Sequence, residues 1–340
     1  MRAPLELRRR QSLPAQATAF TLIEMLVSCA VLMILVGVVF QISDQTSRLW
    51  RSSAGKIQAF QEARAGFESM TRKLSQATLN AYFEYYNAQN ERRTAQNASA
   101  FVPHHYARQS ELHFISGPDL LDSSPATTHA VFFQAPLGYA VNQDFKGLDS
   151  ALNACGYFLQ FSGDRQIRPP HVQSPERHRY RLMEMPQRTE DLAVYDPDAG
   201  GDRDWFTNGL NADPPVVRVL ADNIVALVLW PKLSPEEDPE GDDLTQDYLY
   251  DSRAPSGPTR HQLPPLVQVA MVAIDEPSAI RMTRGEQPPD FGIEMNTLFN
   301  RVTNYAADLE TLRRALSSRG INYRTFSTSV SIREAKWSKQ

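Results

Sequence analysis

Phe20-Thr21-Leu22-Ile23-Glu24-Met25-Leu26-Val27-Ser28 opens an apolar run that continues to Phe40 and Ile42. A run of this length meets the roughly 20 residues that a helix needs to cross a bilayer. Its one carboxylate, Glu24, lies four residues after Phe20, about one helical turn. An ionised side chain within a span costs about 2.5–3.5 kcal/mol on insertion scales and by default marks a functional position. The bland alternative is a carboxylate that snorkels to the interface in an ordinary signal anchor. Upstream, residues 1–19 set Arg2, Arg8, Arg9 and Arg10 against Glu6 and end on Ala19. Arg48, Arg51 and Lys56 follow the run, so the positive-inside rule favours a cytoplasmic N-terminus by a narrow margin. A secretory signal carries its small-residue cleavage site after the apolar stretch. Here the small residue, Ala19, precedes it.

The order of basic leader, small residue, Phe20-Thr21-Leu22-Ile23-Glu24 and apolar run resembles the class III signal of type IV prepilins and pseudopilins. The resemblance implies cleavage by a prepilin peptidase between Ala19 and Phe20 and N-methylation of Phe20. The family usually has Gly where this chain has Ala19. It also implies that Glu24 meets the free α-amine of a neighbouring pilin or pseudopilin subunit, each neutralising a charge that lipid penalises. An assembly platform driven by an ATPase is a further implied partner. The implied location is the inner membrane, single-pass, with a cytoplasmic N-terminus and a periplasmic head.

Beyond Ile42 the chain turns polar, yet Phe60, Ala63, Phe67, Met70, Leu74, Ala77 and Ala81 recur at spacings of three and four, an amphipathic stripe. No Pro falls between residues 15 and 102. One helix from Phe20 to the low 80s is expected, with Gly37, Gly55 and Gly66 as points where it could bend. The stripe reads as core packing against the rest of the chain. The organisation predicted is a leader over 1–19, a membrane half of the helix over 20–42, its amphipathic half over 43–86, and a head over 87–340.

Residues 87–109 read as loop. Strands are expected at 111–116, 128–134, 157–161, 179–184, 218–231, 266–274 and 323–332, where β-branched and aromatic residues lie between turn formers. A short helix or strand is expected at 191–195 and a helix at 306–317. The acidic run 235–243 reads as an exposed loop. A long helix followed by antiparallel strands defines an α+β fold. Residues 220–227, 250–252, 263–269 and 326–333 resemble the J-type minor pseudopilin of type II secretion, and the chain also resembles the large pilin-like Verru_Chthon cassette protein C group.

The formal net charge of −4 gives no basic footprint for nucleic acid. Two cysteines, Cys29 in the apolar run and Cys155 far from it, do not make a disulfide-built fold. Asp196, Asp198, Asp202 and Asp204 with Gly200 and Gly201 form a loop rich in the oxygen ligands that calcium prefers. The spacing is not that of an EF-hand, Arg203 opposes a cation, and a solvated turn is the favoured reading. His104-His105 is a weak metal pair, and Tyr82, Phe83, Tyr85 and Tyr86 read as packing. No nucleophile motif is present. The expectation is a non-enzymatic minor subunit of a type II secretion or type IV pilus-like assembly, the minor position following from the size of the head. The competing class is a membrane-tethered periplasmic enzyme or binding protein, and a DNA-uptake or adhesion subunit would share the same processing.

Overall fold

The computed structural model describes residues 21–338, except 122–127, 146, 166–167, 170, 197–200, 213–214 and 284. For residues 48–49 and 51–57 it describes the backbone alone. The chain divides into two units, residues 1–53 and 54–340. Helix α1, Leu22–Leu74, supplies the described part of the first unit and its final turns belong to the second.

The second unit is antiparallel sheet and helix, the α+β class expected. In chain order it holds β1 (Tyr82–Tyr86), β2 (His105–Gln109), β3 (Ile115–Gly117), β4 (Ala130–Pro136), β5 (Leu152–Ser162) and β6 (Arg179–Gln187). Then come α2 (Asp204–Asn211), β7 (Arg218–Asp222), β8 (Ile224–Lys232), β9 (Tyr250–Asp251) and β10 (Leu266–Ile274). Helices α3 (Glu276–Met282) and α4 (Tyr305–Ser318) precede the last strand, β11 (Tyr323–Ser331). The sheets run β7-β6-β5-β4-β3-β9, β11-β10-β8 and β1-β2.

Burial explains why the central strands read as continuous apolar runs rather than alternating ones. On β4, Val131, Phe133 and Ala135 face a core shared with Ala63, Phe67, Met70 and Leu74 of α1. Ala130 and Phe132 face a second core closed by Trp205 and Phe206 of α2. The three-stranded sheet does the same. Val267, Val269 and Met271 join the α1 core, while Ala270 and Val272 pack with Leu309, Leu312 and Leu316 of α4. The stripe on α1 therefore is core, as its spacing predicts. Gly66 lies where α1 meets β7: a Cβ there would stand 3.2 Å from Ala221 Cβ.

Several expectations are corrected. Helix α1 ends at Leu74 rather than in the low 80s. Thr78 instead bridges to Gln134 of β4, its N–H donating to the Gln134 carbonyl at 2.9 Å. Asn80 takes φ +46°, and the aromatic-rich segment Tyr82–Tyr86 pairs as a strand, which its composition favours. That pairing also places a strand, β2, in the expected loop 87–109. The segment 218–231 is two strands in two sheets. Asn223 divides them at φ +62°, a conformation Asn adopts more readily than other side-chain-bearing residues. Its N–H donates to Tyr180 of β6 and its carbonyl accepts from Ile274 of β10, so one residue links both sheets. Residues 189–191 and 193–195 are single 3-10 turns.

His129 is a buried polar link between these layers. Its Nδ1 accepts from the Leu229 N–H at 2.9 Å and its Nε2 bonds the Phe299 carbonyl at 3.0 Å. Burial pushes its pKa down to about 4 from 6.5, outweighing the nearby Phe299 and Leu229 carbonyls, which raise it. A depressed pKa means that the unfolded chain binds a proton the folded chain refuses. Stability is then full above pH 6.5 and falls as pH drops toward 4, by about 3 kcal/mol for this residue. Urea unfolding of the full chain in detergent at pH 7.0 and 4.5 should show that loss, and His129→Gln should remove most of it. An unchanged pH dependence in the variant would clear His129 of the effect.

Candidate membrane anchor and assembly site

The first unit presents its apolar residues on all sides. Leu22 is 84% exposed, Met33 74% and Phe40 71%. A 26-residue stretch, Leu22–Ser47, is long and apolar enough to span a bilayer, and none of it is buried within the protein. A helix hydrophobic all round needs lipid or neighbouring helices to cover it.

The helix start is built by Thr21 and Glu24. The Glu24 N–H donates to Thr21 Oγ1 at 3.3 Å, and Glu24 Oε2 accepts from both the Thr21 N–H and its hydroxyl at 2.9 Å. This is the reciprocal capping box, with Thr at the cap and Glu at the third helical position. Ser28 Oγ donates to the Glu24 carbonyl at 2.7 Å. The cap is thus made by residues downstream of the expected cut. Ala19 and Phe20, the expected processing residues, lie outside the described residues. Cys29 is exposed on the helix and Cys155 is buried on β5; both are free. Burial pushes the Cys155 thiol up to about 12, which makes it a poor nucleophile.

Of the acids in the 196–204 loop, Asp198 lies outside the described residues. Asp204 Oδ2 accepts from the Gly201 N–H at 2.8 Å, a local turn. Among the described residues, three acids bring ligand oxygens within 4.8 Å of one another at Asp238, Asp242 and Asp243. Asp238 corrects the reading of 235–243 as a solvated run, being 3% exposed. Its two oxygens accept from the Gly241 N–H at 2.7 Å and the Asp243 N–H at 3.1 Å, which offsets the desolvation of the carboxylate.

His105 stacks on Tyr86 at 5.2 Å between ring centroids, and Phe83 on Tyr106 at 5.1 Å. These residues pack across β1 and β2 rather than at a helix end. Sequence reasoning passed over a buried carboxylate, Glu184 on β6, held by Lys73 of α1, Tyr157 of β5 and Arg218 of β7. Its signal was a lone acid within an otherwise strand-forming segment.

Residues 16–40 match the family described as Prokaryotic N-terminal methylation motif. The match ends within the apolar half of α1 and includes Ala19, Phe20 and Glu24. It supports a type IV pilin-like protein processed at its N-terminus and anchored in a membrane by one helix. No curated protein and no solved structure matches the chain.

Proposed function

We propose that this chain is a non-enzymatic pilin-like subunit, cut by a prepilin peptidase between Ala19 and Phe20 and methylated on Phe20. The observation that carries the reading is the coincidence of the methylation motif over 16–40 with a helix apolar on every face and one carboxylate in its first turn. The helix holds the subunit in the inner membrane, with the N-terminus cytoplasmic and the head periplasmic. Glu24 then pairs with the α-amine of a neighbouring subunit as an ATPase-driven platform extracts the chain. A minor position in a type II secretion or type IV pilus-like assembly is inferred from the size of the head.

Mass spectrometry of the mature N-terminus, from cells with and without the prepilin peptidase, tests this. A peptide beginning at N-methyl-Phe20 that disappears without the peptidase is expected. An intact leader in both strains, or cleavage after the apolar run, would replace the assembly subunit with a membrane-tethered enzyme or binding protein.

A further inference from the structure

The three-stranded sheet has β8 and β11 at its edges, and the two outer rims are finished differently. On β8 the Thr128 hydroxyl donates to the Leu227 carbonyl at 2.6 Å and accepts from the Leu227 N–H at 2.8 Å. His129 Nδ1 accepts from the Leu229 N–H at 2.9 Å. Side chains thus occupy the rim where a further strand would pair.

The rim of β11 carries no such cover. Its phase follows from two bonds that flank its pairing with β10. The Asp275 N–H donates to the Asn322 carbonyl at 3.0 Å, and the Ile332 N–H to the Pro265 carbonyl at 3.1 Å. Opposed residues in an antiparallel pair alternate between exchanging bonds and not exchanging them. The register runs from Tyr323 to Ser331 without a shift, so Arg324, Phe326, Thr328 and Val330 exchange bonds with β10. Tyr323, Thr325, Ser327, Ser329 and Ser331 turn their N–H and C=O groups away from it. Among the described residues nothing bonds these outward backbone groups. Ser327, Thr328, Ser329 and Ser331 are exposed. Sheet edges are ordinarily blunted by Pro, Lys, a bulge or shortness. Strand β7 has a register shift and β9 has two residues. Strand β11 has nine residues, no Pro, no Lys and one charge, Arg324. An open edge of that kind is a template for strand addition.

The strand is also its own complement. A second copy turned antiparallel about Ser327 sets Tyr323 opposite Ser331, Thr325 opposite Ser329 and Ser327 opposite Ser327. Each of these residues has outward groups, so the whole row pairs. Opposed Thr and Ser side chains favour such a pairing. Arg324 falls opposite Val330 and Phe326 opposite Thr328, so no like charges meet. We infer that β11 is a contact between two copies of this chain, joined edge to edge about Ser327 into one continuous sheet. A strand of another protein could use the same backbone groups, but it would leave this chain monomeric by itself. The contact lies within the second unit and does not depend on how the N-terminal helix is used.

Analytical ultracentrifugation of the full chain in detergent, over a range of concentrations, should find a monomer–dimer equilibrium. Ser327→Pro removes the central outward N–H and no bond to β10, an orientation in which an edge strand tolerates Pro. It also loses the bond from Gln268 Nε2 to Ser327 Oγ, and Ser327→Ala, which loses only that bond, is the control. Two central bonds vanish per dimer in Ser327→Pro, so dimerisation should weaken about thirtyfold. Ser327→Ala should stay within about threefold of the parent. Cross-linking tests the register without relying on the Pro variant. In a Cys29→Ser background, with Cys155 buried, Ser327→Cys should oxidise to a covalent dimer, its two Cα atoms being about 5.5 Å apart. Ser331→Cys should not, because the two copies of that residue stand about 27 Å apart. A monomer at every concentration would overturn the inference and leave the edge to a strand of another chain. A dimer indifferent to Ser327→Pro, or equal cross-linking at positions 327 and 331, would overturn it by placing the contact elsewhere.

Discussion

Replacing Glu24 with Ala is expected to leave the chain inserted and cut before Phe20, yet to lower its recovery in complexes with partner subunits about a hundredfold. The figure follows from the roughly 2.5–3.5 kcal/mol that an unpaired charge costs in a span, with each 1.4 kcal/mol worth about tenfold in equilibrium. Under the proposed pairing, loss of the carboxylate leaves the α-amine of the neighbouring subunit in lipid with no counter-charge. The structure supplies the competing explanation, because Glu24 also caps its own helix through Thr21. Loss of a capping interaction costs about 1 kcal/mol, too little for a hundredfold effect. Thr21→Ala separates the two roles: it removes the hydroxyl from the capping box and leaves the carboxylate in place. Recovery by cross-linking and co-purification should fall steeply in Glu24→Ala and stay within a few fold of the parent in Thr21→Ala. Equal losses in the two variants would reduce Glu24 to a helix cap, and full recovery of Glu24→Ala would remove it from assembly altogether.

The parts legible in the sequence are those in which local pattern and burial agree. The apolar run reads as an anchor because a helix long and apolar enough to span a bilayer, with none of it buried in the protein, needs lipid or neighbouring helices to cover it. Residues 266–274 read as a central strand because both faces of β10 are covered. Failures cluster where a long-range partner overrides local preference. Ala77 and Ala81 continue the helical stripe, but Gln134 of β4 captures Thr78 and the helix stops. Asn223 breaks an apolar run that looks uninterrupted, because β6 and β10 each bond its backbone. Asp238 looks like one acid among several in a loop. Only the folded turn shows two backbone N–H groups aimed at it. The cavity lined by Thr78, Arg108, Gln262 and Trp337 joins residues more than 200 positions apart, a juxtaposition that no window of sequence contains.

Removing Lys73 and Arg218 together should destabilise the second unit by about 3–5 kcal/mol, more than the sum of the two single losses. Glu184 is 0% exposed. It accepts from Lys73 Nζ at 2.6 Å, the Tyr157 hydroxyl at 2.7 Å and Arg218 Nε at 2.5 Å. Burial is the largest influence on its pKa and raises it. The bonds from Arg218, Lys73 and Tyr157 and the Lys73 charge together outweigh burial, so the carboxyl stays below its ordinary 4.5. A depressed pKa gives stability that is full above about pH 4.5 and is lost as pH falls through the folded value. Lys73→Met or Arg218→Met alone leaves one cation against the carboxylate, and each should cost about 1–2 kcal/mol. The double variant leaves a buried charge with Tyr157 as its last donor. Its folded pKa then rises above 4.5, and the sign reverses: stability is kept at low pH and lost as pH climbs. Urea unfolding of the full chain in detergent should therefore find the double variant less impaired at pH 5 than at pH 7, while the parent shows no such recovery. Additive losses with no pH reversal would mean that solvent reaches Glu184 once its cations are gone. The pull of Lys73 on β6 would then be dispensable, and the hydrophobic contacts of Ala63, Phe67, Met70 and Leu74 would alone hold the end of α1 against the sheets.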